Sequence, residues 1–278
     1  MALQSKSFIR NVINGIKSRF IGHASEGLGN LNLGWFQVKM LKHLPAGPRR
    51  THRMLDKEIV FTSPGEFLHG LNELFIHQIY KIELPENAKI IDCGANIGLS
   101  VLYFKTICPT ANIIAFEPDE NNFQLLQMNS NALNDASISL HQKAVWIKDG
   151  TISFSSNSSM SSKISENEIS DAIVEIPCVQ LSSFLQTTVD LLKIDIEGAE
   201  YEVLKNIQGQ LPQVENMFLE YHGDFSQNNE LCEIFDIIKN AGFKFYIKEA
   251  ADVYPTPFYR KGEKPAYDVQ LNIFCFRN

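Results

Sequence analysis

The pattern of apolar and polar positions differs between the first part of this chain and the rest. From about residue 88 onward, short apolar runs are separated by stretches in which apolar residues recur at helical spacing. Buried strands joined by helices are typical of a parallel sheet with crossover helices, so we predict an α/β fold. The predicted strands cover residues 89–92, 112–117, 137–141, 191–195, 214–222, 244–248 and 271–277. The predicted helices cover residues 97–107, 120–131, 201–207 and 229–241.

The first part of the chain has a different pattern. It predicts an amphipathic helix over residues 8–20, a glycine-rich stretch over residues 22–34 and a turn at residues 45–48. We therefore predict two domains: a basic, helical N-terminal appendage at residues 1–60 and a main domain at residues 61–278. A helix over residues 65–80 would lead into the first strand of the main domain, and the serine-rich residues 153–170 predict a loop beside a short hairpin.

Composition narrows the class of protein and its partners. The chain has 278 residues, 44% of them hydrophobic, with a net charge of −7 and five scattered cysteines. No apolar run reaches the roughly 20 residues needed to span a bilayer, so we expect a cytoplasmic protein that is not transmembrane. The basic N-terminal segment suggests an anionic neighbour, for which a peripheral membrane contact is one choice and nucleic acid is not expected. The oligomeric state stays open, a homodimer included.

A glycine-containing loop follows the first predicted strand. It carries Asp92, Gly94, Asn96 and Gly98 in the spacing G-x-N-x-G. Ligands of parallel α/β sheets bind at such loops, where glycine lets the backbone approach them closely. A dinucleotide fingerprint would instead have the spacing G-x-G-x-x-G. The loop therefore favours a nucleotide-type cofactor without a diphosphate, and an NAD(P)-dependent oxidoreductase is the less favoured alternative.

Two further sequence positions suit such a cofactor. Glu117 ends the second strand about 20 residues beyond the glycine loop, where a carboxylate accepts hydrogen bonds from both hydroxyls of a ribose. Ala144 and Val145 follow the third strand, where an adenine ring would fit between small and apolar side chains.

Acidic residues and one histidine end the next two strands. Asp195 and Glu197 lie at the predicted carboxyl edge of the sheet, where negative charge suits a positively charged reacting group. Glu200 is expected only to satisfy a helix dipole. Glu220 and His222 point to one side of their strand, and His222 is the predicted base, with Asp195 as its rival. Oxygens of Asp195, Glu197 and Glu220 could also ligate a divalent cation, which the spacing does not favour.

Together these motifs carry a family resemblance. The segments Ile90–Ser100, Ala115–Asp119, Lys143–Val145 and Lys193–Glu200 resemble the FkbM-type S-adenosylmethionine-dependent methyltransferases, and the resemblance covers roughly residue 61 to the C-terminus. It implies a class I methyltransferase, Rossmann-like sheet, mostly parallel with an antiparallel last strand. It also implies S-adenosyl-L-methionine as cofactor and O-methylation of a hydroxyl, often on a sugar or secondary metabolite.

The resemblance also implies residue roles. Asp92, Gly94, Asn96 and Gly98 would line the methionine and ribose end of the cofactor. Glu117 would bind the ribose hydroxyls, and Lys143 to Val145 would lie by the adenine. Asp195 and Glu197 match the acidic motif near the methyl group, and Glu220 with His222 matches the end of the following strand.

Three questions stay open at this point. The helix over residues 65–80 could close over the methionine end, with His69 and Glu73 as candidate contacts, although packing explains that helix equally well. The acceptor, whether a small molecule or a glycan, could be a sugar, a polyketide or a lipid. A non-catalytic adenosyl-cofactor-binding partner in a biosynthetic assembly would carry the same cofactor motifs.

Overall fold

The computed structural model of this chain describes residues 31–155, 173–260 and 265–277. The helix predicted over residues 8–20 and most of the serine-rich loop lie outside the described residues. The chain divides into two compact units, residues 1–81 and residues 82–278. The predicted boundary between residues 60 and 61 falls within a strand of the first unit, and the division into appendage and main domain stays a prediction.

The first unit contains a short helix, a hairpin and a second helix. In chain order these are α1 (Trp35–Lys42), β1 (Arg50–Met54), β2 (Lys57–Phe61) and α2 (Pro64–Leu71), which continues as a π-helical turn, Asn72–Ile76. The hairpin was not predicted, although Leu55 and Asp56 join its strands with φ of 48° and 58°. Positive φ at both central residues is typical of a hairpin turn that matches the twist of its strands.

The second unit is built on strands and helices that follow one another along the chain. Its strands are β3 (Lys89–Cys93), β4 (Asn112–Phe116), β5 (Ile138–His141), β6 (Ala144–Trp146), β7 (Gly150–Ser155), β8 (Ile173–Gln180), β9 (Val189–Ile194), β10 (Val214–Gly223), β11 (Lys244–Glu249) and β12 (Val269–Phe276). Its helices are α3 (Leu99–Ile107), α4 (Glu120–Asn131), α5 (Glu200–Asn206) and α6 (Asn228–Asn240). All seven predicted strands and all four predicted helices of this region are confirmed to within two residues at each end.

Seven of these strands form the main sheet, in the order β11-β12-β10-β9-β3-β4-β5. The neighbours from β10 to β5 are parallel, and β12 is antiparallel to both β10 and β11. The predicted class I methyltransferase sheet with an antiparallel last strand is thereby confirmed. β6, β8 and β7 form a separate three-stranded sheet, where only a short hairpin was predicted.

Apolar side chains from both the sheet and the helices make the core of this unit. Ile91, Leu192 and Leu219 of three adjacent strands are buried, as are Val203 of α5 and Ile234 of α6. Strands that are covered on both faces must be apolar throughout, which explains their continuous hydrophobic runs. No helix within the described residues is both long and apolar enough to cross a membrane.

The order of strands fixes where a ligand can bind. The chain runs outward from β3 through β4 to β5, and then returns to the other side of β3 as β9 and β10. The loops after β3 and β9 therefore leave the sheet side by side at its carboxyl edge. In open α/β sheets this reversal point is the usual site of ligand binding.

Candidate active site

A buried carboxylate, that of Asp92, lies at the start of the loop after β3. Asp92 has no exposed surface, and Ser100 in the first turn of α3 donates a hydrogen bond of 2.6 Å to its Oδ2. The next loop residues are fixed by main-chain bonds, since the N–H groups of Gly94 and Ala95 both donate to the carbonyl of Phe116, at 3.0 and 2.9 Å. The glycine loop is thus fixed by the carbonyl of Phe116 at its start and by the bond between Asp92 and Ser100 across its ends.

Two glycines of this loop are required by space and by backbone conformation. Gly94 has a φ of 86°, and a Cβ placed there would lie 1.8 Å from the carbonyl oxygen of Asp195. Gly98 has a φ of 89°, and a Cβ there would lie 2.8 Å from a side-chain carbon of Leu126. Any larger side chain would collide at both positions while adopting a strained φ. Gly94 therefore lets the loops after β3 and β9 approach each other, and Gly98 lets the glycine loop pack against Leu126 of α4.

Glu117 lies directly after β4 and faces the same loop. Its Oε2 accepts a hydrogen bond of 2.8 Å from the N–H of Asn96, and its Oε1 accepts one of 3.0 Å from the N–H of Asp119. A carboxylate has about four acceptor positions, so this arrangement leaves room for a pair of hydroxyl donors. Burial raises the pKa of Glu117 to about 7, although the two backbone N–H groups work against that rise.

A buried lysine joins the glycine loop to the acidic loop after β9. The Nζ of Lys193 lies 3.2 Å from Oδ1 of Asp92 and 3.3 Å from Oδ2 of Asp195. It also donates a hydrogen bond of 2.8 Å to the carbonyl of Gly94. One positive charge therefore holds two carboxylates and one loop carbonyl.

Glu200 is the anchor of the acidic loop. The side chain is fully buried and accepts hydrogen bonds of 3.0 Å from the N–H groups of Ile196 and Gly198. The ring Nδ1 of His222 lies 3.2 Å from its Oε1. The expectation that Glu200 only satisfies a helix dipole is wrong, because its carboxylate also ties the loop to the end of β10.

His222 is buried at the centre of the acidic residues. Besides Glu200, its Nε2 lies 3.6 Å from Glu220 and 3.9 Å from Glu197. Burial favours the neutral ring, but hydrogen bonds to Glu200 and Glu220 and the nearby Asp195 outweigh it and raise the pKa of His222 to about 11. A ring that already holds its proton at neutral pH cannot accept another. This charge state argues against the predicted role of His222 as the base.

Glu197, unlike the buried His222, has an exposed side chain. Its side chain is 52% exposed, and its backbone has a φ of 56°, which is rare for a residue other than glycine. Tyr267 holds this conformation, since its hydroxyl donates a hydrogen bond of 2.6 Å to the carbonyl of Glu197. Although about half of the side chain is exposed, the protein around the carboxyl partly removes it from water and raises its pKa to about 7, against the lowering effect of His222 and with a further rise from Asp195.

Three side chains are close enough together to share a cation. Ligand atoms of Asp195, Glu220 and His222 lie within 4.8 Å of one another, and Glu197, the third acid named as a metal candidate, is not part of the group. Lys193 and the protonated ring of His222 already bring positive charge to these carboxylates. A divalent cation would have to compete with both.

The remaining predicted contacts lie elsewhere. Val145 is buried in the core of the second unit, and Ala144 packs with Ile152 and Cys178 in the small sheet. Their role at the adenine stays a prediction. Glu73 lies in the first unit, where its carboxylate is 3.3 Å from His69, and its contact with a cofactor also stays a prediction.

The roles of Lys193, Glu200 and Tyr267 in this site were not predicted from the sequence. A signal existed for Lys193, because this lysine lies between Leu192 and Ile194 in an apolar part of its strand. Glu200 belonged to the acidic motif but could not be separated from an ordinary helix-starting acid. Tyr267 lies 70 positions from its partner Glu197 in the chain, and no local pattern marks that contact.

Comparison of the sequence with known proteins finds methyltransferases. Residues 92–245 match the model of the methyltransferase FkbM domain. The chain is 27% identical over 216 residues to Methyltransferase 1 of Beauveria bassiana, covering 65% of this chain and 86% of that protein. It is 30% identical over 154 residues to the hexuronic acid methyltransferase AglP of Haloferax volcanii, covering 50% of this chain and 58% of that protein. A solved FkbM methyltransferase from Methylobacillus flagellatus resembles it with a TM-score of 0.48 and 15% identity, covering 70% of this chain and 46% of that one.

Proposed function

The chain belongs to the FkbM methyltransferase family, and from this premise we propose that it transfers the methyl group of S-adenosylmethionine to a hydroxyl of a sugar or a secondary metabolite. The observation that carries the proposal is Glu117. Its buried carboxylate lies beside the glycine loop with acceptor capacity left on both oxygens, which suits the vicinal diol of a ribose.

The residues at the sheet edge fit the cofactor in two further respects. The glycine loop lies directly against the acidic loop, because Gly94 has no Cβ to meet the carbonyl of Asp195, so both loops can border one cofactor site. Asp195, Glu197 and Glu220 place negative charge where the sulfonium of the cofactor would lie. When bound, the cofactor supplies an activated methyl group, so positioning and exclusion of water account for much of the rate.

We assign the proton transfer to Glu197 rather than to His222. The side chain of Glu197 is about half exposed and so accessible to an acceptor, and a pKa of about 7 matches a base that works near neutral pH. Asp195 is held by Lys193, and Glu220 lies beside the ring of His222. These two carboxylates accept hydrogen bonds from neighbouring hydroxyls of the acceptor and orient it. His222 fixes the acidic residues through its positive charge, and a divalent cation is not part of the proposal.

A sugar acceptor is favoured among the acceptors that the sequence left open. One relative of this chain is by name a hexuronic acid methyltransferase, and a cluster of carboxylates is well suited to hold several sugar hydroxyls. The oxidoreductase alternative does not agree with the family. A non-catalytic cofactor binder would have no need for the ordered arrangement of Glu197, Glu200 and His222.

Calorimetric titration tests the cofactor assignment. We expect the purified protein to bind S-adenosylmethionine and its demethylated product with micromolar affinity, and to bind NAD far more weakly. Glu117→Ala should lower the affinity for both adenosyl ligands by at least about tenfold, since it removes charge-assisted hydrogen bonds to the ribose. Glu202→Ala, an exposed acid on α5, is the matched control and should change nothing. Tight binding of NAD, or unchanged affinity in Glu117→Ala, would refute the assignment.

A further inference from the structure

An arginine and two aromatic rings form a cluster beyond the end of β10. The guanidinium carbon of Arg260 lies 4.6 Å from the ring centroid of Phe225 and 5.5 Å from that of Tyr254. The two rings are stacked on each other with centroids 5.7 Å apart. We call Phe225, Tyr254 and Arg260 the arginine platform.

A buried aspartate fixes this platform. The hydroxyl of Tyr254 donates a hydrogen bond of 2.6 Å to Oδ1 of Asp268, and the N–H of Phe225 donates one of 3.1 Å to Oδ2. The N–H of Asp268 in turn donates 2.9 Å to the carbonyl of Gly223, the last residue of β10. The platform is therefore attached to the same strand end that carries His222.

The platform lies close to the proposed methyl-transfer site along the chain and in space. Phe225 follows His222 by three residues, so their Cα atoms are at most about 11 Å apart. Tyr267, next to Asp268, packs its ring 4.9 Å from the ring of His222 and bonds the carbonyl of Glu197. Glu197 and the arginine platform are therefore both tied to the adjacent residues Tyr267 and Asp268, one through the Tyr267 hydroxyl and the other through the Asp268 carboxylate.

The charges of the region explain why an arginine would be needed here. Asp195, Glu197 and Glu220 would repel any carboxylate of an acceptor bound at the methyl-transfer site. An anionic acceptor must therefore place its carboxylate away from them, on a cation. Arg260 is exposed, and of its five N–H donors the described hydrogen bonds use one nitrogen, Nη1, which donates 2.9 Å to the carbonyl of Pro257.

From this geometry we propose that the arginine platform is an acceptor subsite that binds the carboxylate of an acidic sugar. The stacked rings hold the guanidinium in one orientation, which favours a bidentate pair with a planar carboxylate over a loose surface contact. Phe225, 40% exposed, offers an apolar surface to the sugar ring beside that carboxylate. The inference rests on the proposed function and narrows its acceptor to a uronic acid or a similar anionic sugar.

Two sugars that differ only in this group provide the test. We would measure methyl transfer to methyl glucuronoside and to methyl glucoside, which share a ring but not the carboxylate. The wild type should have at least about a tenfold higher kcat/KM for the glucuronoside, because a charge-assisted bidentate pair supports a factor of that size. In Arg260→Gln the kcat/KM for the glucuronoside should fall about ten- to a hundredfold, and that for the glucoside less than about twofold.

The variants include two controls. Arg260→Lys keeps the charge but not the planar fork, so it should recover only part of the preference for the glucuronoside. Lys239→Gln removes the same charge at the last turn of α6 and should leave both sugars unaffected. Equal losses for the two sugars, or an Arg260→Gln variant identical to the wild type, would overturn the subsite.

Binding measurements separate this inference from the proposed function. Titration of methyl glucuronoside into the complex with the demethylated cofactor should show binding that Arg260→Gln weakens. If the wild type neither binds nor methylates this sugar, the subsite proposal fails. Binding of S-adenosylmethionine together with methylation of a neutral acceptor would, in that case, leave the methyltransferase function in place.

Discussion

At the scale of single residues, the pKa of Glu197 determines how the rate should depend on pH. Burial raises that pKa to about 7, and the base must be deprotonated to accept a proton. We therefore expect kcat, measured at saturating cofactor, to rise with pH and to level off above about 7. Glu197→Gln should lower kcat by roughly a hundredfold or more and remove this rise, since general base catalysis typically contributes that much.

Glu202→Gln serves as the control for Glu197, because it changes an exposed acid on the neighbouring helix α5. It should keep both the rate and its pH dependence. Saturating cofactor is essential, since Glu117 also has a pKa of about 7 and would affect cofactor binding over the same pH range. A Glu197→Gln variant with an unchanged rise in kcat would assign the base to another group.

At the scale of elements, Lys193 connects the ends of β3 and β9. Lys193→Met would leave Asp92 and Asp195 facing each other without the positive charge between them. We expect the free energy of unfolding to fall by about 3 kcal/mol or more, because removal of one partner leaves buried charge uncompensated. Chemical denaturation measures this change, and calorimetry should show weaker cofactor binding.

Lys205→Met is the matched control for Lys193. Lys205 also faces a carboxylate, Glu233 at 3.5 Å, but both side chains are about half exposed. Water and salt screen such a pair, so its loss should change stability little. If the two variants were equally stable, Lys193 would not be holding the two loops together. The double variant Lys193→Met/Asp195→Asn, which also removes one of the two carboxylates, should recover part of the lost stability.

These elements also show how much the sequence could predict. The strands of the main sheet and the helices between them were predicted to within two residues at each end. Buried strands and amphipathic helices leave periodic patterns in the sequence, which makes them predictable. The hairpin of β1 and β2 was missed, since its turn residues Leu55 and Asp56 are not the usual glycine or asparagine of such turns. The separate sheet of β6, β7 and β8 was missed because its strands are short or interrupted by polar residues.

The positions of the candidate site residues could be predicted from the sequence, but their protonation states could not. Motifs located Glu117, Asp195 and Glu197, since strand ends of a parallel sheet meet at one edge. The protonation of His222 could not be read from the chain, because Glu200 and Asp195 reach it from 22 and 27 positions away. A pKa follows from distances between charges, and those distances exist only in the fold.

At the scale of the whole molecule, buried titratable groups make stability depend on pH. The pKa of Glu117 is about 7 in the folded protein, against an ordinary value of 4.5. Between these values the folded state holds a proton that the unfolded state has lost. The free energy of unfolding should therefore fall as pH rises from about 4.5 to 7, by up to about 1.4 kcal/mol per pH unit from this group, and the contribution should be constant above 7.

His222 also lowers the free energy of unfolding as pH rises, but over a higher pH range. Its pKa is raised from 6.5 to about 11, so its stabilisation is complete below 6.5 and is lost as pH rises toward 11. Comparing urea denaturation of the wild type and Glu117→Gln between pH 5 and 8.5 isolates the contribution of Glu117. The variant's stability should fall less steeply between pH 5 and 7, and the two curves should run parallel from pH 7.5 upward. Curves that run parallel over the whole range would mean that the carboxyl of Glu117 is ionised in the folded protein throughout, because its two backbone N–H donors then outweigh burial.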